Sequence, residues 1–387
     1  MIGLSAAWRA RERGMSVTVL ERDTIAQGTS RVAAGMLAPV AEVEFGEAGR
    51  RILELGLRSA EIWPAFASAL EEVAGTDVGL MKTGTLMVAR DDDEARELDR
   101  QIAFRESLGL RAERLRPSDA REREPALTPT VRLALEAPED HSVDPRLLLA
   151  ALRSACESTG VRLREHARAL RIDTNDARDR VAGVTLSCER GIEKLTAPQV
   201  LLAAGAWAGQ IEGLPEHARV PVRPVKGQLL RLRDPAGPGL LRRVVRFAGG
   251  YLVPRADGRY VLGATMEERG FDTRPTAGAI HELLRDAHEL VPGVSELEIE
   301  ELCVGLRPGT PDNAPAIGAG AIEGLTWAAG HHRNGILLAP LTADLVLEAL
   351  RSERPVNPLL LACAPTRFTA SQPRPGPARS PSESVAV

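Results

Sequence analysis

The chain has 387 residues, 44% of them apolar, which is enough for a buried core in each of two or three domains and excludes a disordered or fibrous class. Its formal charge of −4 sets up no broad cationic field, and 2 Tyr, 4 Trp and 6 Phe are too few for stacking platforms, so nucleic acid is not an expected partner. No apolar run approaches the roughly 20 residues of a membrane helix and no signal peptide opens the chain, so a cytoplasmic protein without membrane association is expected. In chain order, Ile2 to Gly14 reads as a helix stopped by glycine, and Ser16 to Glu21 as a short buried strand; together they form the αβ half of a βαβ unit. Apolar spacing predicts a helix over 52–74, a strand over 84–89 and a charged surface helix over 93–108. Asp144 to Gly160 combines an Asp N-cap, proline at the first helical position and a glycine stop.

Strands are expected at 161–165, 168–173, 181–187 and 200–204, the last all apolar and ending at Gly205, as a fully buried parallel strand would. A strand-rich block over 222–265 turns at Asp234-Pro235 and Asp257-Gly258. A helix at 277–291, strands near 297–304 and at 325–329, and a helix from about Gly335 to Leu350 follow. From Ala364 the composition changes to Pro, Ser and Arg, which predicts a disordered tail over 364–387. Cys156, Cys188, Cys303 and Cys363 lack any C-x-x-C partner and read as buried free thiols. Interleaving of the αβ start with the strand at 200–204 and the Gly-rich stretch near 335 predicts an α/β nucleotide-binding layer, interrupted twice by strand-rich insertions.

A dinucleotide fingerprint needs a strand, G-x-G-x-x-G opening a helix, and a second strand ending in an acid. Only the last glycine, Gly3, is present, and Glu21 stands where the ribose acid belongs. Many α/β proteins offer such a run, so this alone does not decide. The later segments are more specific. They are Val17–Glu21, Ala33-Ala34-Gly35-Met36-Leu37-Ala38-Pro39, Leu202-Ala203-Ala204-Gly205-Ala206-Trp207, Pro224-Val225-Lys226-Gly227-Gln228 and Tyr251-Leu252-Val253-Pro254-Arg255. Gly263-Ala264-Thr265-Met266-Glu267, Gly305-Leu306-Arg307-Pro308-Gly309-Thr310 and Gly330-His331-His332-Arg333-Asn334-Gly335-Ile336-Leu337-Leu338-Ala339-Pro340 complete the set. From Met1 to about Leu350 the chain resembles the glycine oxidase branch, associated with thiamine synthesis, of the FAD-dependent D-amino-acid oxidase family. It departs at the N-terminus, where family members carry a strand and two more glycines; either the natural start lies upstream of Met1, which is the expectation, or the chain binds flavin poorly.

The resemblance implies an α/β fold with a discontinuous, doubly wound, Rossmann-like FAD-binding domain (1–80, 145–220 and 300–352) and an inserted antiparallel-sheet substrate domain (81–144 and 221–299). It places FAD on Met1, Ile2 and Gly3 at the pyrophosphate, Glu21 and Arg22 at the adenosine ribose, Thr29 and Ser30, Ala34, Gly35 and Met36 beside the rings, and Ala169 at the adenine. His331, His332, Arg333, Asn334, Gly335, Ile336 and Leu337 would form a loop and helix start facing the pyrimidine edge, where oriented amides stabilise negative charge. No carboxylate or cysteine sits at ligand spacing from His331 and His332, so no metal is expected.

Arg307 is the expected carboxylate clamp of a small amino acid, since a planar guanidinium binds that group bidentately. Tyr251 would donate its hydroxyl to the same group, Met266 would line the pocket and Arg333 would supply positive charge, while Gly249-Gly250 ahead of Tyr251 leaves pocket size open. The implied reaction is oxidation of glycine to its imine and then glyoxylate, with ammonia and hydrogen peroxide, the flavin doing the hard step and dioxygen taking the electrons. A D-amino-acid or sarcosine oxidase or dehydrogenase, and an inactive flavin-free relative, are the alternatives. A homo-oligomer and hand-off to thiazole-forming enzymes are also implied.

Overall fold

The structure is a computed structural model that describes residues 1–351 and 357–368. Helix starts follow their caps. Asp144 Oδ1 accepts the N–H of Arg146 at 2.8 Å with Pro145 at the first helical position, so Pro145–Ser158 begins where the sequence places it. Asp91 Oδ1 accepts the N–H of Glu94 at 2.8 Å and opens Asp92–Ser107. Glu47–Ala74 ends on Gly75 in the left-handed conformation.

Eight strands form one large sheet in the order Glu298–Gly309, Arg223–Arg233, Arg259–Gly263, Gly250–Pro254, Val244–Phe247, Thr85–Ala89, Leu133–Ala137 and Glu113–Leu115. All its pairings are antiparallel except that between Val244–Phe247 and Thr85–Ala89. Side chains alternate between two cores, as the period of a strand requires. Leu230, Leu252 and Leu262 pack with Leu283, Ala287 and Leu290 of the helix Ala277–Leu290. Leu229, Val253, Val261 and Cys303 pack with Val32, Ala34 and Met36 on the other face. That second face carries Tyr251, Arg307 and the cavity described below.

On the far side of this cavity lie short parallel pairs, Thr18–Leu20 with Arg162–Arg164 and Val200–Leu202 with Leu325–Ala329, the latter extended by Ala316–Ala319. Helices Ile2–Glu12, Glu47–Ala74, Pro145–Ser158 and Ala339–Arg351 share a core built on Trp8, Trp63, Phe66, Leu148 and Val346. A meander of Arg168–Thr174, Val181–Cys188 and Gly191–Thr196 completes this α/β layer. No helix among the described residues is long and apolar enough to cross a membrane.

Several expectations change. The strands expected to be buried at 16–21 and 200–204 are shorter, at Thr18–Leu20 and Val200–Leu202, and mostly half-buried. Each has a strand partner on one side only among the described residues, and both line the cavity. The expected domain cut at 300 falls inside Glu298–Gly309, which pairs along its length with Arg223–Arg233 in the large sheet. The last long helix starts at Ala339 rather than Gly335, because a 3-10 turn at His332–Asn334 comes first. The expected tail from 364 begins with a 3-10 turn at Pro365–Phe368, where Arg367 donates to Asp312 Oδ2 at 2.9 Å and to the Ala314 carbonyl at 2.8 Å. Residues 369–387 of that tail lie outside the described residues. Cys188 is partly exposed, while Cys156, Cys303 and Cys363 are buried as expected.

Candidate active site

A cavity of about 1250 Å³ runs between the α/β layer and the large sheet. The α/β layer contributes Met1, Ile2, Gly3, Glu21, Arg22 and Ala169; the segment 28–36 contributes Thr29, Ser30, Ala34, Gly35 and Met36. The sheet contributes Arg246, Tyr251 and Arg307, with Met266 from the loop after it and His331, His332, Arg333, Gly335 and Ile336 from the loop before the last long helix. Asn334 and Leu337 lie off this cavity. Leu337 faces the helix Glu47–Ala74, where its carbonyl accepts from Ser59 Oγ at 2.6 Å and Trp63 Nε1 at 2.7 Å.

Arg307 Nη1 donates to the Thr265 carbonyl at 3.0 Å, and no carboxylate among the described residues pairs with its guanidinium. That guanidinium lies against the backbone of Gly227; a Cβ there would stand 2.3 Å from Nη1. The ring of Tyr251 rests on Gly263, where a Cβ would fall 2.7 Å from the hydroxyl. Burial raises the Tyr251 pKa, partly offset by the Arg307 charge, so the phenol remains a donor. Met266 is at the rim, 58% exposed, so it borders the opening rather than sealing it.

Two charged residues here were not anticipated. Arg246 stands opposite Tyr251 in the hairpin register, so both side chains leave the same face of the sheet. Its Nη1 donates to the Ala41 carbonyl at 2.8 Å and its Nη2 lies 3.5 Å from Glu42 Oε1. Glu42 also faces Arg333, whose Nε lies 3.7 Å from Oε2 and whose Nη2 donates to the Glu42 carbonyl at 3.1 Å. The hairpin was readable in Val-Val-Arg-Phe-Ala-Gly-Gly-Tyr, because a turn at Ala248-Gly249 sets Arg246 across from Tyr251. Glu42 carries no such local signal.

On the opposite wall, the helix Ile2–Glu12 starts at Met1 without a side-chain cap, so its first amides are left for another acceptor. Glu21 Oε1 accepts the N–H of Asp23 at 3.1 Å, and the Arg22 guanidinium stacks 3.8 Å over the Trp207 ring. The Thr29 hydroxyl donates to the Leu306 carbonyl at 3.1 Å and so ties this segment to the strand of Arg307. The buried Arg255 donates from Nη2 to the Ala34 carbonyl at 2.5 Å. Gly35 has φ +78, and a Cβ there would meet the Val143 carbonyl at 2.1 Å, so no other residue fits this close approach.

A family model described as FAD dependent oxidoreductase matches residues 1–349. The chain belongs to this family of FAD-dependent oxidoreductases. It is 35% identical over 350 residues to a glycine oxidase of Geobacillus kaustophilus (strain HTA426), covering 90% of each chain. It is 36% identical over 374 residues to a bifunctional protein ThiO/ThiG of Synechocystis sp., covering 95% of this chain and 53% of that protein. The chain therefore spans about half the length of this bifunctional relative. The crystal structure of the glycine oxidase from Geobacillus kaustophilus superposes with a TM-score of 0.86 at 33% identity, covering 95% of this chain and 96% of that one.

The cavity of this FAD-dependent oxidoreductase suits FAD: it is long, it has uncapped helix amides for phosphate, and it has small residues at Ala33, Ala34 and Gly35 for a flat ring system. The two histidines behave as neutral groups. Burial pushes His331 down from 6.5 to about 3, and its Nε2 lies 3.0 Å from the Thr342 hydroxyl. Because the folded state holds this proton less readily than the unfolded one, the stability it contributes is present above pH 6.5 and lost as pH falls toward 3, at up to about 1.4 kcal/mol per pH unit. Asp140, pushed up by burial to about 7, runs in the opposite direction. Urea unfolding between pH 6.5 and 4 is expected to show the stability of His331→Leu gaining on that of wild type as pH falls, whatever the net slope that Asp140 leaves. Equal slopes would assign the acid sensitivity to other groups.

Proposed function

We propose that this FAD-dependent oxidoreductase oxidises glycine and comparably small amino acids to the imine, which hydrolyses to glyoxylate and ammonia, with dioxygen reduced to hydrogen peroxide. The product would supply thiazole assembly for thiamine, a reading supported by the similarity to the bifunctional ThiO/ThiG protein. One observation carries the substrate class: Arg307, a guanidinium that pairs with no carboxylate among the described residues, beside a buried phenol in the FAD cavity. Arg307 would clamp the carboxylate in its fork and Tyr251 would donate a further hydrogen bond, leaving the substrate Cα as the part free to face the cofactor. FAD, when bound, supplies the hydride acceptor and passes the electrons to dioxygen.

On this reading, the α/β layer holds the cofactor and the large sheet holds the substrate. Met1, Ile2, Gly3, Glu21 and Arg22 would serve the nucleotide part of FAD, with Thr29, Ser30 and Ala169 along it and Ala34, Gly35, Met36, Gly335 and Ile336 nearer the rings. A second reading, turnover of sarcosine or D-alanine, is favoured by Gly249 and Gly250, which line the cavity and leave its wall open next to Tyr251. The test is anaerobic addition of glycine, sarcosine and D-alanine to the yellow protein. Glycine is expected to bleach the flavin band; a band bleached only by sarcosine or D-alanine would replace glycine as the substrate.

A further inference from the structure

The polar side chains around Arg307 are unevenly divided between donors and acceptors. Arg246, Arg307, Arg333 and the Tyr251 hydroxyl all donate. The carboxylate among them, Glu42, has its two oxygens 3.5 Å and 3.7 Å from the Arg246 and Arg333 guanidiniums, so its field is offset. A zwitterionic amino acid brings a carboxylate, which suits these donors, and an amine, which needs an acceptor.

His332 is placed to be that acceptor. It lines the cavity close enough to Arg307 for that charge to be felt at its imidazole, and its side chain makes no hydrogen bond to the described residues. Its neighbour His331, by contrast, is committed to Thr342. The backbone at His332 has φ +47, a left-handed conformation that is uncommon outside glycine, with Asn, Asp and His the residues that adopt it most often. It is held there by a bridge between His331 and Gly309, the Asn334 N–H on the His331 carbonyl at 2.9 Å, and Arg333 on the Glu42 carbonyl. Burial, then the charges of Arg307, Arg333 and Arg223, push the imidazole down to about 4, so at neutral pH it keeps one bare nitrogen. Beside it a small recess of about 30 Å³, bordered by Glu42, Glu44 and Asn313 on one hand and by Ile52, Leu53 and Leu337 on the other, has the volume of one or two waters.

We infer that the His332 imidazole accepts a hydrogen bond from the substrate α-amine, so that His332 and Arg307 hold the amino acid at its two ends. This rests on the functional reading above. It also gives the loop a role that backbone contact with the cofactor would not require, since only the side chain is involved.

The test uses FAD-loaded wild type, His332→Phe and His332→Asn. Anaerobic stopped-flow mixing with glycine gives the apparent Kd and limiting rate of flavin reduction. Spectral titration with acetate, a carboxylate without an amine, gives the strength of the Arg307 end alone. In the Phe variant, glycine is expected to bind about tenfold or more weakly or to reduce the flavin correspondingly slowly, while acetate binding stays within about twofold. The Asn variant, which keeps an acceptor oxygen, should recover part of the loss. Glycine constants unchanged in the Phe variant, or acetate weakened as much as glycine, would overturn the assignment. Failure of glycine to reduce the wild-type flavin is a different result and bears on the functional reading instead.

Discussion

Arg307→Ala is expected to lower kcat/KM for glycine by roughly 30-fold to several thousand-fold, equivalent to the about 2–5 kcal/mol that follows from removing one partner of a buried charge pair. Within the chain, Arg307 is engaged by a hydrogen bond to the Thr265 carbonyl, so folding should change little by comparison. Arg307→Lys keeps the charge but loses the planar fork, and should recover only part of the activity. The measurement is steady-state peroxide release over a glycine range, paired with a melting curve. If kcat/KM for glycine survives in the Ala variant, Arg307 does not hold the carboxylate.

Gly227→Ala should produce a similar phenotype from a residue that has no polar side chain. The added methyl would stand 2.3 Å, 2.6 Å and 2.7 Å from Arg307 Nη1, Cζ and Nη2, closer than real atoms approach, so the guanidinium must move. The obstructed atoms are the far end of a flexible side chain, and Gly227 does not have the positive φ that an Ala would resist, so the melting temperature should shift by only a few degrees. A displacement on the order of 1 Å of a positioning group can cost 10²-fold in rate. A tenfold to hundredfold loss of kcat/KM is expected. The decisive comparison is the double variant: if Gly227 acts through the guanidinium, its effect should vanish once Arg307 is already Ala. Additive losses would place the role of Gly227 elsewhere.

How much of this was legible before the structure depended on the kind of signal. Asp144 and Pro145 marked a helix start correctly because capping is local chemistry. Gly35, Tyr251 and Arg307 stood in runs specific enough to place them together, and all three line one cavity. Glu42 was missed because it reaches Arg246 and Arg333 only through tertiary folding. Arg246 was recoverable from hairpin register but needed the turn at Ala248-Gly249 to be identified first. Leu337 was expected to face the cofactor as part of a helix start. The 3-10 turn at His332–Asn334 delays the helix to Ala339 and leaves the Leu337 carbonyl to Ser59 and Trp63. The strands at 18–20 and 200–202 were expected to be fully buried because apolar composition reports what a strand tolerates, not how many neighbours it has.

The turn at Pro365–Phe368 bears on how the protein can be trimmed. Arg367 grips Asp312 and the Ala314 carbonyl; Asp312 in turn holds Thr310, which leads directly into the strand end bridged to His331. Cutting the polypeptide after Cys363 would therefore slacken a brace that begins some fifty residues away and ends at the substrate pocket, whereas a cut after Phe368 would leave that brace whole.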